Sequence, residues 1–132
     1  MRTAKFLRFG HRVDLLVTRE LRERSVGVFE GCSRKQLAEV GILKALRTWD
    51  YCPLGGESRK DVAVRVLRYF RDLEGSDRTL VVSHFTVLRI LLDLQHDVLG
   101  DPTVEDLNNR EFIALTFDTD IWEKMYAHIM TR

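Results

Sequence analysis

The 132-residue chain predicts an α/β domain built on a mainly parallel sheet, and three observations lead there. Segments with helical periodicity alternate with short β-branched runs, the order expected of strands joined by crossover helices. One run, TLVVS at 79–83, is too short for a helix and continuously apolar in its middle, as strands covered on both faces are. Hydrophobic residues make up 45% and charged residues 31%, a composition that suits a single folded domain spanning 1–132.

Taken in order, residues 2–10 predict a short helix ending at Gly10, with Arg2, Lys5, Arg8 and Arg12 forming a solvated basic face. VDLLVT at 13–18 is a β-branched apolar run bounded by charge and reads as a strand. LRERSVGVFEG at 21–31 has two glycines and no clean period, so a structured loop is expected. SRKQ at 33–36 has capping-box spacing and opens a helix carrying Leu37, Val40 and Leu43. In YCPLGGES, 51–58, a proline and paired glycines make a turn, and Ser58 with Asp61 caps the next helix. That helix places Val62, Val66, Phe70 and Leu73 on one stripe. A turn at 75–78 leads to the 79–83 strand and then to a helix from Thr86 to about Leu94, apolar all round and expected to be deeply packed. Residues 103–109 predict a helical turn, EFIALTFD at 111–118 a strand, and the tail, 121–130, an edge strand.

A formal net charge of +1 argues against a nucleic-acid or membrane surface defined by bulk electrostatics. Cys32 and Cys52 lie too far apart for a CxxC motif and are expected to be reduced thiols. No apolar run approaches a membrane span, and the basic N-terminus lacks the apolar core of a signal peptide, so a cytoplasmic protein is expected. His11, His96 and His128 are expected at the surface.

His84 differs from these, because it closes the most buried predicted strand and precedes a helix. Ligands of open α/β sheets bind beyond the carboxyl ends of the strands, and a helix N-terminus favours an anion such as phosphate. The segments LRERSVGVFEG, PLGGES, DVAVRVLRYFRDLEG and LVVSH together resemble the histidine phosphatase, or phosphoglycerate mutase-like, superfamily. Its members carry an LRE…G.(F/W)EG loop, a P.GES turn and a VSHG strand end in this order. The opening RTAKFL is similar to a shortened form of the family's R…TA helix start, so the resemblance covers nearly all of residues 2–117.

That resemblance implies a three-layer α/β/α domain and phosphoryl transfer through a phosphohistidine, with neither a metal nor another cofactor. A neutral imidazole is a competent nucleophile, arginine forks match phosphoryl oxygens, and a carboxylic acid can protonate a departing oxygen. His84 matches the second, phosphate-holding histidine, and Glu23 matches the general acid. Arg24 matches a substrate-contacting position of the mutases, and Arg2 matches the arginine of the R…TA helix. For Glu57 and Ser58, turn and capping duties are expected to dominate.

Two departures set limits on this. The Arg-His-Gly element that carries the family's nucleophile is absent from the 132 residues; LRFGHR at 7–12 looks similar but lies just before the 13–18 strand, the wrong place for it. Phe85 also stands where the family has a glycine after the histidine. The expectation is therefore a domain missing its first strand, with impaired phosphomonoester hydrolysis or phosphate transfer on a small phosphorylated metabolite. Its alternative is a pseudophosphatase that acts as a phosphoester-binding or interaction module. Without the first strand, neighbouring ladder groups and apolar faces would be bare, so low stability, or a homodimer or partner covering the gap, is expected.

Overall fold

The computed structural model describes residues 3–5, 14–73, 79–99 and 119–132. Beyond a helical stretch at 3–5, the described residues form four α-helices: α1 (Arg34–Glu39), α2 (Arg59–Arg71), α3 (Phe85–Leu99) and α4 (Thr119–Thr131). Short 3₁₀ turns at Gly27–Phe29 and Ala45–Arg47 punctuate the connections.

Both predicted capping boxes form. The Ser33 hydroxyl accepts from the Gln36 amide while the Gln36 side chain accepts from the Ser33 amide, and Ser58 and Asp61 make the same exchange at the start of α2. Each box satisfies amides that a helix start would otherwise leave without partners. α1 is short: Val40 is its exposed C-cap and Leu43 lies beyond it, so neither extends the expected apolar face.

α2 is the centre of the core, packing against both α3 and α4. Two neighbours require a wider apolar face than one stripe. Val62 and Val66 are buried as predicted, Ala63 and Leu67 add a second buried row, and Phe70 packs at its margin. Leu73 falls beyond the helix end. α3 contributes Val87, Ile90, Leu91 and Leu94, a regular i, i+3, i+4, i+7 face. It is not enclosed all round, however: Phe85 is 54% exposed.

The expected edge strand at 121–130 is instead part of α4. Ile121, Trp122, Met125, Tyr126 and Ile129 recur at helical spacing; Met125 and Ile129 are fully buried, and Trp122 stacks on Phe70 with ring centroids 5.2 Å apart. Burying side chains of this size stabilises the fold by roughly 1.5–3 kcal/mol each, which outweighs the modest strand preference of Ile, Trp and Tyr.

Residues 14–18 and 79–83 are neither helix nor strand, and Leu16, Val17, Leu80 and Val82 are exposed. The expected helical turn at 103–109, the strand at 111–118, Arg2 and most of the 2–10 helix lie outside the described residues.

Candidate functional site

The loop 21–31 and the turn 51–58 meet backbone to backbone. The Val28 amide donates to the Leu54 carbonyl at 3.0 Å, and the Glu57 amide donates to the Ser25 carbonyl at 2.9 Å. Glycine is required at the crossing. A Cβ on Gly27 would stand 2.1 Å from the Leu54 oxygen, and one on Gly56 would stand 2.9 Å from both the Gly27 nitrogen and the Ser25 oxygen. Gly27 also adopts φ +55°, a left-handed backbone that side chains disfavour.

Charged groups fasten the same junction. Glu57 accepts from Arg22 Nη2 at 2.7 Å, from Arg65 Nε at 2.9 Å and Nη2 at 3.2 Å, and from the Ser25 amide at 3.2 Å. Burial alone would push the Glu57 carboxyl up. The hydrogen bonds from Arg65 and Ser25 and the charges of Arg65 and Arg22 outweigh it, holding the group below the usual carboxylate range. Arg65, on α2, donates further to the carbonyls of Glu20, Arg22 and Glu23. Glu30 receives the Ser25 hydroxyl at 3.0 Å and the Val26 amide at 2.8 Å.

Arg24 is turned inward and is 7% exposed. Its guanidinium donates to the carbonyls of Glu57 (2.7 Å), Leu46 (2.7 Å) and Tyr51 (3.1 Å). Burial, with the nearby Arg59 charge, lowers its pKa from the ordinary arginine value. Ser58 is likewise occupied by its capping box, as expected for the turn.

Glu23 is placed differently. Its carboxylate accepts from the Arg24 amide at 2.8 Å and has no cationic partner among the described residues. His84 is exposed, and no described residue hydrogen-bonds its ring. What joins their two segments is Ser83, whose hydroxyl donates to the Leu21 carbonyl at 2.8 Å. The residue before His84 is thus fixed to the residue two before Glu23. Arg2 lies outside the described residues.

Two surface clefts lie elsewhere. One, of about 590 Å³, runs along α2 beside Glu20, Lys60, Asp61, Arg65 and Tyr69; the other, of about 260 Å³, separates α2 from α4. Neither is lined by His84, Glu23 or Arg24. Among the described residues no three His, Cys, Asp or Glu side chains converge as a metal set would. Sequence reasoning gave Glu57 turn and capping duties and passed over Arg65, its partner at this junction. The available signal was an arginine on the polar side of α2, eight residues after the glutamate of GGES.

The family model for the histidine phosphatase superfamily, branch 1, matches residues 1–125. A 2,3-bisphosphoglycerate-dependent phosphoglycerate mutase 2 from Gloeobacter violaceus is 31% identical, the match covering 80% of this chain and 52% of the relative. Phosphoglycerate mutases of the same dependence from Parvibaculum lavamentivorans and Methylocella silvestris are 31% and 37% identical, over 82% and 69% of this chain and 55% and 50% of theirs. The chain therefore spans about half the length of the curated relatives it matches. No solved structure gives a significant match.

Proposed function

The chain belongs to the histidine phosphatase superfamily, and on that membership we propose that it serves phosphoryl transfer on a small phosphorylated metabolite, as hydrolysis or transfer. His84 holds phosphoryl oxygens, Glu23 protonates the departing oxygen, and Arg2 adds positive charge. Arg24 serves the same site from behind, since its guanidinium is committed to three carbonyls. The observation that carries this proposal is the Ser83–Leu21 hydrogen bond, which joins the histidine and glutamate segments; among the described residues the Glu23 carboxylate is held by no side chain, only by the Arg24 amide.

The superfamily is α/β. We place 13–18 and 79–83, whose described residues are not paired as strands, at one open face of a three-layer domain over 1–132 with a mainly parallel sheet. The exposure of Leu16, Val17, Leu80, Val82 and Phe85 supports a homodimer or partner covering that face. No described helix is long and apolar enough to cross a membrane, and a cytoplasmic location belongs to the same proposal.

One observation favours a second reading, a pseudophosphatase that binds phosphoesters without turning them over: Phe85 follows the histidine. Turnover of p-nitrophenyl phosphate, with trapping of acid-labile phosphohistidine, separates the two. Turnover with a trapped intermediate supports the enzyme. Retained phosphate binding without turnover supports the module, and absence of both refutes the shared phosphate site.

A further inference from the structure

Three donor groups around the 20–26 segment converge on one carboxylate. Glu57 receives Arg22 from within the segment, the Ser25 amide from its far side and the Nε and Nη2 donors of Arg65 from α2. Arg65 in turn holds the carbonyls of Glu20, Arg22 and Glu23, so the Glu57–Arg65 pair links the backbone on both sides of Glu23 to α2. Both partners are largely shielded, with side chains 11% and 15% exposed, which makes the forked pair more rigid than a surface salt bridge. The Glu23 carboxylate, bonded only to the next amide among the described residues, has no such anchor of its own. Its direction is set by the backbone that carries it.

We propose that Glu57, acting through Arg65, is a positioning residue: the pair fixes the backbone around Glu23 so that its carboxyl is presented beside His84. The inference rests on Glu23 being the proton donor of the phosphate site, yet the restraint and the chemistry can be tested separately. Glu57→Gln keeps the shape of the side chain and removes its charge. Arg65→Lys keeps the charge and removes the fork.

Amide hydrogen exchange reads the restraint. In either variant the Arg24 and Ser25 amides are expected to exchange roughly tenfold or more faster, while Val66 and Leu67 on α2 keep their protection. Uniform loss across the segment and α2 would mean general destabilisation, and unchanged rates at Arg24 and Ser25 would mean no clamp; either overturns the proposal.

Binding of inorganic phosphate at pH 8 reads the positioning. Glu23→Gln removes a negative charge from beside the anion and is expected to tighten binding roughly fivefold in the otherwise native chain. In the Glu57→Gln background, where the carboxylate is no longer held in place, the same change is expected to have no effect. An equal effect in both backgrounds shows a purely structural tie and overturns the positioning role. If the native chain binds no phosphate, the phosphate site itself is refuted. Protection at Arg24 and Ser25 then decides whether the clamp exists, and the role in presenting Glu23 to a phosphoester falls.

Discussion

Gly27→Ala probes the junction that supports the whole site. Two effects add. The left-handed backbone at φ +55° disfavours alanine by about 1–2 kcal/mol. The new methyl would also stand 2.1 Å from the Leu54 carbonyl oxygen and 2.6 Å from the Gly56 amide nitrogen, both backbone atoms that cannot rotate away. Relief requires the loop and the turn to separate, which breaks the Val28–Leu54 and Glu57–Ser25 hydrogen bonds at a net loss of about 0.5–1.5 kcal/mol each. Together these effects amount to roughly 2–5 kcal/mol, a fall in Tm of about 8–20 °C for a domain of this size. Gly55→Ala is the matched control. Gly55 has φ +71° but open space where its Cβ would be, so only the backbone term applies and Tm should fall by about 4–8 °C. Thermal denaturation followed by circular dichroism compares the two. Equal losses would show that the close backbone crossing does not exist as described.

Three further outcomes follow from the same structure. Leu94→Ala leaves a hole where α3 meets the core, and the fully buried position predicts a loss of about 2–5 kcal/mol in urea unfolding. Ser58→Ala removes the buried N-cap of α2 and should lower stability by about 0.5–2 kcal/mol, with faster amide exchange confined to the first turn. Acid should release the loop. Because the folded Glu57 carboxyl lies below its ordinary value near 4.5, its contribution is complete above that pH and is lost as the pH falls through the folded value. Unfolding measured from pH 6 to pH 3 should therefore show an acid slope that is shallower in Glu57→Gln.

The local parts of the fold were readable from the chain alone. Both capping boxes, the glycine-rich turn and the periodic face of α2 depend on residues three or four apart, and all of them form. α4 was misread because isoleucine, tryptophan and tyrosine favour strands, although their spacing is helical; contact with α2 decided in favour of the spacing. The junction was legible as motifs and illegible as contacts. Arg22 and Glu57 are 35 residues apart, and Arg24 reaches carbonyls at Leu46 and Tyr51, partners that no local pattern names. Resemblance placed Arg24 at substrate, and no local pattern announces that its guanidinium is buried against three carbonyls. Strand pairing at 13–18 and 79–83 depends on long-range partners, and one link of that range is the Ser83–Leu21 hydrogen bond.

The shared phosphate site is tested most directly by titrating ¹⁵N-labelled protein with inorganic phosphate and following the amide and imidazole resonances. If His84 and Glu23 flank one anion, the signals of Glu23, Arg24, His84 and Phe85 shift together along a single saturation curve, and His84→Ala abolishes the response at Glu23. Saturable shifts at His84 that leave Glu23 and Arg24 unmoved would place the histidine and the glutamate in separate sites and contradict the proposed chemistry.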